Sequence, residues 1–169
     1  MSSEATTIGI REAADADLPS VVEILNGEIA GSPYLYIEKP ITLGERLKWL
    51  RAHHDAKLPI FVATLDDRVV GWASLSNYRP SSGYRFTVEV SVYVDLNARR
   101  RGLAKSLVAA LHEWAARHEA KSVVASIDSE NGASIALFES LGYVQVARLP
   151  DVGWKFDRWR TQLLYHRAA

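Results

Sequence analysis

Val88-Glu89-Val90-Ser91-Val92-Tyr93-Val94, Asp95-Leu96-Asn97 and Arg99-Arg100-Arg101-Gly102-Leu103-Ala104 follow one another closely, and their reading decides the fold. The first run is rich in β-branched residues and alternates, which predicts a strand. Asp95-Leu96-Asn97 is turn chemistry. From Leu103 onward, Leu107, Leu111, Trp114 and His118 recur every three or four residues, which predicts a helix. Three arginines and a glycine therefore fall on a strand-to-helix turn. The first N–H groups of a helix lack intrahelical partners, and the macrodipole is positive there. Gly102 lets an anion approach the backbone, so the turn suits a phosphate or diphosphate. A solvated basic turn is the bland alternative. Neither G-x-G-x-x-G nor G-x-x-x-x-G-K-[ST] occurs in the chain.

Composition narrows the classes further. With 169 residues and 48% apolar content, the chain is expected to form one domain over residues 1–169, residues 1–6 being flexible. Basic and acidic side chains number 20 each, which speaks against a general nucleic-acid binder. No apolar run approaches the roughly 20 residues of a membrane span, and the N-terminus lacks the pattern of a signal peptide. The absence of cysteine excludes disulfides, thiolate metal sites and a cysteine nucleophile, and reads as cytoplasmic. The five histidines show no metal spacing, so no metal is expected. The adjacent His53 and His54 are expected to face solvent.

Outward from the central stretch, a strand over 7–12 is followed by a helix from Asp15 and Asp17. This helix carries Leu18, Val21, Val22, Leu25 and Ile29 on one face. A loop, Gly31 to Pro40, holds Tyr34 and Tyr36. Thr42-Leu43-Gly44-Glu45 is a capping box that opens a second helix through Leu47, Leu50 and His54. Strands at 60–63 and 69–75 are joined at Asp66-Asp67. A second loop, Asn77 to Arg85, carries Arg79, Tyr84 and Arg85. After the central strand and helix come a strand over 122–127, a helix from Asn131 to Leu141, and closing strands near 143–147 and 154–165. Asn131 is a good helix cap, Gly142 suits the left-handed position after the helix, and Ala133, Ala136, Leu137 and Leu141 make an apolar stripe.

Two segments together resemble the GCN5-related N-acetyltransferases, the GNAT family. Arg99, Gly102 and Ala104 match its pyrophosphate loop, [Q/R]-x-x-G-x-[G/A]. Asn131 to Tyr143 is similar to its N-x-x-[AS]-x-x-L-[YH]-x-x-x-G-[FY] segment, which lies along the pantetheine arm of coenzyme A. The element order β-α-α-β-β-β-α-β-α-β-β is also that of the family: an α/β fold with a mixed central sheet flanked by helices. Thr87-Val88-Glu89, Gly153 to Trp159 and Leu43-Gly44-Glu45-Arg46 with Trp49 resemble its phosphinothricin and methionine sulfone (sulfoximine) acetyltransferase branch.

The resemblance implies an acetyl-CoA-dependent N-acetyltransferase without a metal. Val92, Tyr93 and Val94, freed by a bulge, would pair with the pantetheine amides. Arg99, Arg101, Gly102, Leu103, Ala104 and Lys105 would hold the pyrophosphate mainly by backbone N–H groups. Arg100, more exposed, would reach the adenosine phosphate. Asn131, Ser134 and Phe138 would flank the arm. Many family members place a tyrosine at the position of Phe138, and this branch often a histidine, to protonate the departing thiolate. Phenylalanine can do neither, which leaves solvent, another hydroxyl or unassisted departure.

Glu89 is the candidate general base, because an attacking amine must shed a proton and this is the central strand's only acid. A structural ion pair with Arg85 is its bland alternative. Alternation puts Glu89, Ser91 and Tyr93 on one face and Val88, Val90, Val92 and Val94 on the other. Tyr34, Tyr36, Arg79, Tyr84 and Arg85 are candidates to line the pocket of a small amine acceptor bearing a carboxylate. No placed Ser/His/Asp set suggests an acyl-enzyme, so direct attack in a ternary complex is expected. The resemblance and Trp154, Phe156 and Trp159 point to a homodimer, although a core strand would also explain those aromatics. The rival functions are a non-catalytic acetyl-CoA sensor or interaction domain, and a peptide or protein N-acetyltransferase.

Overall fold

The computed structural model describes residues 7–169; the expectation of flexibility at 1–6 lies outside them. β1 (Ile8–Glu12) leads through a 3-10 turn at Asp15–Asp17 into α1 (Leu18–Gly31), and α2 (Leu43–Asp55) follows. The expected capping box starts α2: Thr42 Oγ1 accepts the Glu45 N–H, and Glu45 Oε2 accepts the Thr42 N–H. β2 (Ile60–Leu65) and β3 (Arg68–Asn77) form a hairpin. Its turn residues Asp66 and Asp67 have φ of 48° and 63°, the type I′ geometry that matches strand twist. β4 (Thr87–Val94), α3 (Leu103–Arg117), β5 (Ser122–Asp128), α4 (Gly132–Ser140), β6 (Val144–Lys155) and β7 (Arg158–Ala168) complete the chain. The element order is the expected one.

The strands share one sheet in the order β1-β2-β3-β4-β5-β7-β6, antiparallel except for β4 with β5. Period-two alternation sorts its faces. Val62 and Trp72 pack with Val21, Leu25 and Ile29 of α1. Ala63, Ala73, Leu75, Val88 and Val90 pack with Leu103, Leu107, Val108 and Leu111 of α3. Both sheet faces are thus covered, and the apolar sides of α1 and α3 drive the covering.

Four local expectations need correction. No bulge interrupts β4 on its β3 side: pairing runs from Asn77↔Val88 to Gly71↔Val94 without a shift. The alternation of β4 therefore holds along its whole length. His53 is buried, because Arg46, Leu50 and His53 (spacing i, i+4, i+7) form the inward stripe of α2. Its Nδ1 lies 3.0 Å from the Trp49 carbonyl oxygen and so donates to it. Burial lowers its pKa and keeps the ring neutral. In α4, Ala133 and Ala136 are exposed, and Phe138 is the residue that enters the core. Finally, the expected strand over 154–165 spans a hairpin turn at Phe156-Asp157, whose φ values are 51° and 55°. The apolar run hides this turn because Trp154, Phe156 and Trp159 are exposed rather than core.

Candidate active site

β4 and β5 pair only from Thr87↔Ser122 to Glu89↔Val124, yet β4 continues to Val94 and β5 to Asp128. Beyond Glu89 the two strands part. The gap opens into a cavity of about 770 Å³ walled by Val90–Val94, Ala125–Asp128 and the inner side of α4. An extended ligand arm entering the gap meets strand backbone without a β-partner, and it can take the place of the missing strand. This splay, rather than a bulge, leaves the Val92 backbone and the Val94 N–H facing the gap, whereas the Tyr93 backbone is paired with Trp72 of β3; all three residues line the cavity.

At the wide end lies the arginine turn. Arg100 (φ 64°) and Gly102 (φ 77°, ψ 0°) are left-handed, and Gly102 is the N-cap of α3. Ser106 N–H bonds to the Gly102 carbonyl at 3.0 Å, leaving the N–H groups of Leu103, Ala104 and Lys105 without intrahelical acceptors. A Cβ built on Gly102 would meet no protein atom within 4 Å. That open cradle at a helix start fits a diphosphate. The Arg99 side chain is occupied: it donates to the Val94 carbonyl (3.1 Å) and pairs with Glu28 Oε2 (2.7 Å). Arg99, Arg100, Gly102, Leu103, Ala104 and Lys105 line the cavity, whereas Arg101 is exposed outside its lining. On the opposite wall, Asn131 caps α4 by accepting the Ser134 N–H at 3.1 Å, and Asn131, Ser134 and Phe138 line the cavity.

Where the strands part stands Glu89. Ser126 Oγ donates to its Oε1 at 2.6 Å, and Ser126 lines the cavity. The carboxylate is therefore one hydrogen bond from the cleft wall. Arg85 does not pair with it; that guanidinium bonds to the Ser82 carbonyl and lies 4.3 Å from the Phe86 ring centroid. On the face shared by Glu89, the Tyr93 ring sits 4.7 Å from Trp72, and burial pushes its hydroxyl pKa up to about 12. The Arg46 guanidinium lies 3.5 Å from the Trp49 centroid and 4.4 Å from that of Trp72. Its Nε and Nη2 are buried without a hydrogen-bond partner, and burial lowers its pKa to about 10.

The aromatic candidates divide. Tyr34 lines the cavity, with the Arg160 guanidinium 5.8 Å from its ring centroid. The Tyr36 hydroxyl donates to Asp128 Oδ2 at 2.7 Å, and its ring packs against Gly153, where any side chain would collide. Arg79 clusters with Tyr78 and Tyr84 outside the cavity, and Arg85 lines a separate hollow of about 220 Å³.

Three features escape sequence reading. They are the Ser126–Glu89 bond, the unpartnered Arg46, and a buried pair in which Arg160 grips Asp128 bidentately (2.8 and 2.7 Å). Burial alone would raise the Asp128 pKa, but the bonds from Arg160, the Glu130 N–H and Tyr36 outweigh it and hold it low. Buried Lys155 ties β6 to the end of α1 and to the loop after it, donating to the carbonyls of Ile29 (2.6 Å) and Ile37. Among the described residues, no group of three His, Cys, Asp or Glu side chains could hold a metal ion.

A sheet split over an open helix start, with a carboxylate where the split begins, is the framework of an enzyme that can seat an extended anionic ligand. Residues 19–143 match the Acetyltransferase (GNAT) family. An L-methionine sulfoximine/L-methionine sulfone acetyltransferase of Pseudomonas paraeruginosa is 40% identical over 151 residues, 89% of this chain and 88% of its own. A solved ribosomal-protein-alanine N-acetyltransferase from Brucella melitensis has a TM-score of 0.93 at 36% identity, covering 95% of this chain and 99% of the other. A phosphinothricin acetyltransferase from Sinorhizobium meliloti, solved in complex with AcCoA, has a TM-score of 0.92 at 29% identity, covering 96% and 88%. The chain belongs to the GNAT family, and it is an acetyltransferase.

Proposed function

We propose that the enzyme moves acetyl from acetyl-CoA to the amine of a small amino-acid-like acceptor such as phosphinothricin, methionine sulfone or methionine sulfoximine. The observation that carries this reading is the cleft between β4 and β5, which runs from the open cradle at Gly102 to Ser126, the hydrogen-bond partner of Glu89. Acetyl-CoA, when bound, supplies the activated acetyl group. The N–H groups around Arg99–Lys105 would hold its pyrophosphate. Val92 and Val94 would pair with the arm, Tyr93 would line it, and Asn131, Ser134 and Phe138 would flank it. Glu89 takes the proton of the attacking amine, in direct transfer without an acyl-enzyme. Of the candidate acceptor contacts, Tyr34 stands at the cavity wall, while Tyr36 is held by Asp128, Arg79 and Tyr84 cluster outside the cavity and Arg85 lines the separate hollow; the relatives named for amino-acid-like substrates support an amino-acid-like acceptor.

The similarity to a ribosomal-protein-alanine acetyltransferase favours a second reading, a peptide N-terminus as acceptor. One assay separates the two: acetyl-CoA-dependent thiol release with phosphinothricin, methionine sulfone, methionine sulfoximine, a polyamine, an aminoglycoside and an alanine-ended peptide. The expected outcome is turnover on the amino-acid analogues with kcat/KM at least about tenfold above the peptide, the scale of one good polar contact. Turnover on the peptide alone overturns the small-acceptor reading. Binding of acetyl-CoA without turnover on any amine supports the sensor alternative.

A homodimer is part of the proposal. Val152, Trp154, Phe156 and Trp159 are exposed around the β6–β7 turn, and β6 is a sheet edge. Unpaired edges and exposed aromatics are what interfaces cover. Sedimentation at micromolar concentration is expected to show a dimer that Trp159→Glu converts to monomer; a monomeric parent refutes it. A cytoplasmic location and the lack of nucleic-acid partners rest on the absence of cysteine and the zero net charge. No helix among the described residues is long and apolar enough to cross a membrane.

A further inference from the structure

We propose that Ser126 is a second catalytic residue, carrying a proton from Glu89 to the sulfur that leaves as the acetyl group is transferred. This rests on the acetyl-transfer reading above.

Three observations lead to it. Ser126 sits two residues past Val124, the last residue of β5 paired with β4, and so lies where the cleft begins. Side chains two apart on a strand share a face, so its hydroxyl projects from the face that Val124 presents beside Glu89. It donates to Glu89 Oε1 at 2.6 Å while lining the cavity, and thus joins the base to the cleft interior. Third, Phe138, buried to 3% exposure at the cavity wall, has no proton to offer. Among the described residues no other hydroxyl lining the cleft, whether of Ser32, Tyr34, Ser91, Tyr93 or Ser134, is hydrogen-bonded to Glu89.

The step balances. The amine nitrogen forms the C–N bond and the C–S bond breaks with its electron pair on sulfur. The nitrogen's surplus proton passes to Glu89. Ser126 gives its hydroxyl proton to the sulfur and takes the one Glu89 holds, which leaves a free thiol, an ionised Glu89 and a neutral serine. No external acid is needed, and the two residues return to their starting states.

The test uses Ser126→Ala and Ser126→Gly, which remove the hydroxyl, and Ser126→Thr, which keeps it. The first readout is independent of turnover: ultraviolet thiolate absorbance of coenzyme A bound to each protein, followed through a pH titration. When the bound thiol ionises, the Ser126 hydroxyl turns from Glu89 to the thiolate and favours the charged form, so its loss is expected to raise the bound thiol's midpoint by about one unit. In Ser126→Thr the midpoint stays near that of the parent. The second readout is kcat, expected to fall about 10²-fold in Ser126→Ala and Ser126→Gly, with acetyl-CoA affinity within about twofold of the parent. Adding Ser126→Ala to Glu89→Gln is expected to cost less than about threefold more, because one relay is broken only once. An unchanged thiol titration, or kcat within twofold of the parent in both hydroxyl-free variants, overturns the role of Ser126. Failure of the underlying reading is distinct, since the parent itself would then fail to bind coenzyme A or turn over.

Discussion

Replacing Gly102 with valine is expected to abolish acetyl-CoA binding while leaving the fold in place. Gly102 holds φ 77° and ψ 0°, a left-handed conformation that a β-branched residue adopts only under strain, on the order of 1–3 kcal/mol. The strain is local, because a Cβ there meets no protein atom within 4 Å. What the side chain occupies is the open approach to the free N–H groups of Leu103, Ala104 and Lys105. Hydrogen bonds from such donors to a charged ligand are worth about 1.5–3 kcal/mol each. Losing two of them corresponds to at least about 10²-fold in Kd. Calorimetric titration with acetyl-CoA reads this directly, and Gly102→Ala separates strain from obstruction by adding only the Cβ. Binding of normal affinity in Gly102→Val would remove the cradle from the cofactor site.

Glu89→Gln is expected to lower kcat by about 10²-fold or more, the scale of one general base, with acetyl-CoA affinity retained. The substitution is nearly isosteric, and an amide oxygen at the place of Oε1 can still accept the Ser126 hydroxyl. The change therefore removes proton affinity while leaving the geometry. Steady-state kinetics with saturating acetyl-CoA, alongside calorimetry, separates the two effects. Near-normal turnover at neutral pH would make Glu89 a structural strand residue and would end the relay drawn through Ser126 as well.

Both predictions concern residues that stand out in the linear chain. Glu89 is the only acid in an alternating apolar run, and Gly102 interrupts a basic turn just before a helical period. The deviations of the structure occur where distant segments meet. His53 is buried because α2 turns Arg46, Leu50 and His53 onto α1 and the sheet, and which of two adjacent histidines faces inward depends on helix rotation. The closing hairpin is misread as a longer strand because its exposed aromatics resemble core residues. Tyr36 leaves the candidate pocket lining for Asp128, 92 positions away.

The order of the elements, the caps at Thr42 and Asn131, the alternation of β4 and the left-handed position at Gly142 are legible in the linear chain. All of these are set by steric and hydrogen-bonding preferences within a few residues. Long-range packing sets the end of β4–β5 pairing after Glu89, the reach of Ser126 to Glu89 across 37 positions, and the enclosure of Arg46 by tryptophans without an acceptor for its Nε and Nη2. Such contacts depend on strand register and on the packing of helices over the sheet, and these are settled by the sum of many weak long-range interactions. No single stretch of the chain carries that sum, so the cradle can be read from the sequence, while the groups arranged around the base appear only in the folded chain.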